Sequence, residues 1–143
     1  MIQMCDLNDR PAKAGDLTSE LLAAYETFDI ILLAIRGRQD PGTCMFTALV
    51  RSASCAVDGR DALRRAPSLP LSAISPPIIT RRAGAREPGI RDLAQDLSAL
   101  ATQLTGRLID AERLACSAGD REACSQAEEC AREIRELLAG YFR

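Results

Sequence analysis

Apolar residues recur every three or four positions through four separate runs of this chain. That spacing matches the 3.6-residue turn of an α-helix and not the two-residue alternation of a strand. In the first run Leu17, Leu21, Ala24, Phe28, Ile31 and Ile35 share one face. Asp16 is placed as the N-cap and Gly37 as the stop, which predicts a helix over 17–36 after a flexible arm, 1–15. Asp40-Pro41 then has the form of an N-cap followed by the first helical position. Met45, Phe46, Leu49, Val50, Ala53, Ala56, Val57 and Leu63 predict a second helix over 41–65. Leu93, Leu97, Leu100, Leu104, Leu108, Ala111 and Ala115 predict a third over 90–118. Ala123, Ala127, Cys130, Ile134, Leu137 and Tyr141 predict a fourth over 121–141, entered through Gly119 and Asp120.

Five of the seven prolines lie between residues 66 and 89, and this stretch is expected to be extended. It also carries Leu69, Leu71, Ile74, Ile78 and Ile79, too apolar for a solvated tether, so it is expected to lie along the helices. Short turns at 37–40 and 119–120 favour antiparallel neighbours. The fold class expected is all-α: a four-helix bundle of two antiparallel helical hairpins joined by a long proline-rich segment, as a single helical domain over 16–143. Ala and Leu dominate the 47% apolar content while aromatics reach only 3%, and such a composition favours helix over strand.

The chain has no histidine. A serine–histidine triad, a His-ligated zinc site and a His-containing di-iron site are thereby excluded. Six cysteines at 5, 44, 55, 116, 124 and 130 form no CxxC pair and match no zinc finger. No cofactor or metal is expected. The acidic sets Asp58/Asp61, Asp92/Asp96 and Glu128/Glu129/Glu133/Glu136 lie off the apolar stripes. They are expected to be solvated faces bridged to Arg132 and Arg135.

Net charge is −2, but it is distributed unevenly. Residues 1–35 carry two basic and six acidic groups, residues 36–91 ten and four, and residues 92–143 six and ten. Helical positions Arg64 and Arg65, with Arg81, Arg82 and Arg86 of the proline-rich segment, are the candidate anion patch. Nucleic acid is not expected as a partner, because no aromatic residues are interleaved for base stacking. Lys13 is the only lysine among 18 basic residues, a bias expected of a bacterium with GC-rich coding sequence. No run approaches the roughly 20 apolar residues of a membrane span, and the start, Met1 to Asp6, lacks a leader pattern. A cytoplasmic chain with reduced thiols is the expectation.

Two features suggest contact with another protein. Cys44, Ala48, Ser52, Cys55 and Gly59 form a stripe of small residues along the second helix, which lets another backbone approach closely. Ile30 and Leu33 fall off the core stripe of the first helix, leaving apolar surface over. The function expected is therefore a non-catalytic interaction or accessory protein, acting as a homodimer or on a partner protein. One alternative is a small-molecule-binding bundle, or a small enzyme, with a pocket beneath the proline-rich segment and Thr102, Gln103 or Thr105 as inward polar groups. A second alternative is a thiol redox sensor using Cys116 and Cys124, which a tight helical turn would bring together.

Overall fold

The computed structural model describes residues 11–37, 45–74 and 89–141. Among these residues the chain is all-helical. Four helices, α1 (Pro11–Arg36), α2 (Phe46–Arg64), α3 (Ile90–Leu114) and α4 (Ala118–Ala139), are supplemented by one 3₁₀ turn, Leu71–Ala73, and there is no strand. α1 packs on α2 and α3, and α4 packs on the same two helices. The four therefore form a ring around one core, as in a bundle.

α1 begins six residues earlier than the capping pattern predicts, taking in residues assigned to the arm. Pro11 suits a first helical position because its missing N–H is one that a helix start leaves unpaired, and Ala12, Lys13 and Ala14 are good helix formers. Asp16 is therefore inside the helix. The proposed start of α2 at Asp40-Pro41 lies outside the described residues.

α3 ends at Leu114, four residues early, because the turn uses a different cap from the one expected. Ala115 is extended, and Ser117 is the N-cap of α4, its side chain accepting a hydrogen bond from the Asp120 backbone N–H at 3.1 Å. Asp120 is three residues into that arrangement and has a separate task. Its buried carboxylate accepts from the Ser68 backbone N–H at 3.0 Å and from the Ser68 hydroxyl at 2.6 Å. Pro67 packs over Gly119, where an added Cβ would come to 3.2 Å from the proline ring. The chain leaving α2 is thus tied to the start of α4.

The core follows the predicted stripes with local drift. Leu21, Ala24, Phe28, Ile31, Ile35, Leu49, Ala56, Leu63, Leu97, Leu104, Leu108, Ala111 and Ile134 are fully or almost fully buried. On α4 the stripe shifts by one position in places: Ala131 and Leu138 are buried while Cys130, Leu137 and Tyr141 are only partly covered. Of the apolar residues after α2, Leu69 joins the core and Ile74 is half-buried, but Leu71 is 58% exposed. Ile78 and Ile79 lie outside the described residues.

The small-residue stripe of α2 is used within the chain. Ala48, Ser52, Cys55, Gly59, Ala62 and Ala66 are all buried, because α2 packs against both α1 and α4. Cys44 lies outside the described residues. The stripe is therefore an internal seam and not the dimer surface expected from its spacing. Its tightest point is Gly59, where a Cβ would stand 2.3 Å from Cζ of Phe28.

Two predictions follow from this packing. Gly59→Ala should destabilise the fold by about 1–3 kcal/mol despite the better helix propensity of alanine, because overpacking outweighs a gain of about 1 kcal/mol. Adding Phe28→Leu should recover part of the loss; urea midpoints that simply add would show the two residues are not in contact. Asp120→Ala should cost about 2 kcal/mol by the same assay, since it removes two hydrogen bonds to a charged acceptor. An unchanged midpoint would mean that the Ser68 contact contributes nothing.

Candidate functional site

Among the described residues, polar groups converge on a concave site between α1 and α2, a groove of about 280 Å³. α1 supplies Tyr25, Asp29, Leu32, Leu33 and Arg36, whose spacing of three and four places them along one helical face. α2 supplies Arg60 and Arg64, one turn apart, and Ile74 closes one side just past the 3₁₀ turn. The lash between Ser68 and Asp120 holds the segment that delivers Ile74.

Two polar links run across the groove. Arg60 Nη1 donates to Asp29 Oδ1 at 2.7 Å, and both side chains are largely buried. That hydrogen bond is the main reason the Arg60 guanidinium titrates above its ordinary range, against the opposing effect of burial. Arg60 Nε is buried and has no hydrogen-bond partner. One turn along, Arg64 Nε donates to the Tyr25 hydroxyl at 2.8 Å, and its guanidinium carbon lies 5.6 Å from the ring centroid, within cation–π range. The partner of a residue on α2 falls in number on α1 as its own rises, which is how Asp29 meets Arg60 and Tyr25 meets Arg64.

The charge of the groove is unbalanced. Arg36, Arg60 and Arg64 face a single carboxylate, Asp29, and Asp29 is engaged by Arg60. Among the described residues neither Arg36 nor Arg64 has a carboxylate partner. Leu32 and Leu33 with Ile74 supply an apolar wall beside these cations. Among the described residues no cysteine, serine or threonine lines the groove, and its tyrosine and aspartate are both held by arginines.

The chain matches no family model, no curated protein and no solved structure. Its functional reading therefore rests on its own geometry.

The candidate residues from the sequence are scattered by the fold. Of the anion patch, Arg64 lines the groove, Arg65 is exposed outside it, and Arg81, Arg82 and Arg86 lie outside the described residues. Of the interface set, Ile30 and Leu33 are each 37% exposed, and Leu33 forms part of the groove wall. Thr102 and Gln103 are exposed, and Thr105 is buried with its hydroxyl spent on the Ala101 carbonyl at 2.8 Å, so none of the three reaches the groove. Arg36, Arg60, Asp29 and Tyr25 were not singled out together. The same-face spacing on α1 and the pair Arg60/Arg64 were legible, but the register that joins them was not.

Cys116 and Cys124 are not joined to each other. α3 stops before Cys116, leaving it exposed beyond both helices, whereas Cys124 turns into the core. Cys116 is disulfide-bonded and Cys124 is a free thiol, so the expectation that all thiols are reduced does not hold at Cys116. Burial is the leading cause that pushes the thiols of Cys55 and Cys124 up to about 12 and that of Cys130 to about 11. Cys55 also donates to Glu133 Oε2 at 3.0 Å, which opposes ionisation further. Reactive cysteines require the opposite shift. The acidic sets gather no three metal-ligating groups among the described residues, and Glu128 pairs with Arg132 one turn away as the spacing predicts.

These thiols set a pH and reactivity prediction. The folded chain keeps their protons to about 11–12 while the ordinary thiol value is 9.0, so stability should fall as pH rises above about 9. At pH 8, iodoacetamide should label Cys55, Cys124 and Cys130 slowly in the native protein and rapidly in urea. Equal rates in both states would show that these thiols are not shielded.

Proposed function

We propose that this chain is a non-catalytic binding bundle that holds a small molecule in the α1–α2 groove. In this reading it is built as two antiparallel helical hairpins joined by the proline-rich segment 66–89, and the groove lies where that segment begins. The observation that carries the proposal is the convergence of Arg36, Arg60, Arg64, Tyr25 and Asp29 on a groove with an apolar wall. Ligand pockets combine these same ingredients, apolar lining and a few fixed polar groups, and this one, at about 280 Å³, falls just below their usual range of about 300–1,000 Å³.

The homodimer expected from the sequence is less well supported. Its small-residue seam is internal wherever it is described, leaving Ile30 and Leu33, each 37% exposed. With Val50 and Leu71, 41% and 58% exposed, these are the exposed large apolar side chains among the described residues, and four partly covered side chains fall short of the roughly 800 Å² per partner of a stable interface. The thiol-sensor reading loses its proposed pair, because Cys116 and Cys124 are not bonded to each other.

Amide and side-chain NMR shift mapping tests the proposal, using a mixture of small neutral, anionic and cationic amphiphiles. Shifts should concentrate at Tyr25, Leu32, Leu33, Arg60, Arg64 and Ile74. Shifts confined to other parts of the bundle, or none at millimolar ligand, would overturn it.

A further inference from the structure

We infer that the occupant of this groove is an amphipathic anion, with an oxyanion head on Arg64 and Arg36 and a short aliphatic tail along Leu32, Leu33 and Ile74. The inference rests on the binding function proposed above and adds the chemical class of the ligand.

Charge decides against the other classes. Among the described residues, three guanidiniums and one carboxylate give the groove a surplus of two positive charges. A cationic ligand would be repelled, and a neutral one would leave the arginine donors facing groups they bind weakly. A bare inorganic anion would use the arginines but leave the apolar wall of Leu32, Leu33 and Ile74 in water. Only a molecule with both parts uses the whole surface.

The arginines are not equivalent. Arg60 is committed to Asp29 at 2.7 Å, so most of its charge is already answered. Arg64 is held in place from one side only: its Nε donates to the Tyr25 hydroxyl, and its guanidinium lies near the tyrosine ring. Tyr25 itself is 1% exposed and cannot easily move. The terminal nitrogens of Arg64 are thus a pre-positioned fork for an oxyanion, which reduces the ordering cost of binding. Arg36, at the last turn of α1, adds a second cation to the same groove. Carboxylates and phosphate monoesters both fit such a fork.

The test is a set of calorimetric titrations of the full chain with octanoate, octyl phosphate, octanol, octylammonium and acetate, with NMR mapping to locate each one. Octanoate, octyl phosphate or both should bind in the groove at least about tenfold more tightly than octanol, the scale of one charge-assisted hydrogen bond. Octylammonium and acetate should bind more weakly still, and added salt should weaken the anions. Whichever of the two anions binds tighter identifies the head as carboxylate or phosphate. Arg64→Gln should erase the preference of octanoate over octanol, and Arg65→Gln, outside the groove, should leave it intact. If Arg64→Gln disturbs the fold by freeing Tyr25, Arg36→Gln gives the same reading without breaking a contact among the described residues. Octanol or octylammonium binding in the groove as tightly as the anions would overturn the inference while leaving the binding function standing. No ligand in the groove would end both.

Discussion

The ring of Phe28 lies where a side chain on Gly59 would have to go, and this contact sets how closely α1 and α2 approach. At that separation Asp29 and Tyr25, the next residue and the one a turn back on α1, come within hydrogen-bonding distance of Arg60 and Arg64 on α2. The groove lies along this seam. A helix pair held further apart would leave the two arginines solvated and the groove open.

The rest of α2 is organised around the same constraint. With alanine, serine, cysteine and glycine along its buried side, it can sit between α1 and α4 with no bulky side chain facing either at those positions. α4 buries small residues of its own, Ala123, Ala127 and Ala131. Close-packed interiors tolerate few voids, so large residues have to fill the space around the seam. Most come from the other helices, Phe28, Tyr25, Leu97, Leu104, Leu108 and Ile134, and α2 adds Leu49 and Leu63. One cost of the arrangement is the Ser52 hydroxyl, which is fully buried without a hydrogen-bond partner.

The polar contacts gather at the C-terminal end of α2 and just beyond it. Asp120 and Ser68 fix the chain where it leaves that helix, and through it the position of Ile74. Arg60 and Arg64 fix α2 to α1. The groove contains the second set of contacts and is bounded by the segment that follows the first, so its walls come from a helix, a second helix and a tethered loop. Burial of Cys55, Cys124 and Cys130 keeps their chemistry away from it.

Periodicity alone determined that the described residues are helical, roughly where their helices lie, and most of their buried positions, because an apolar stripe must be hidden whatever it packs against. The lack of histidine likewise removed whole classes of chemistry before any fold was known. Tertiary structure alone decided which helix covers the small-residue stripe, that Ser117 and not Asp120 caps α4, and that Arg60 and Arg64 meet Asp29 and Tyr25. The reason is that periodicity describes a helix face one helix at a time. The register between two faces depends on interlocking volumes, such as a phenylalanine against a glycine, which no spacing within one helix encodes.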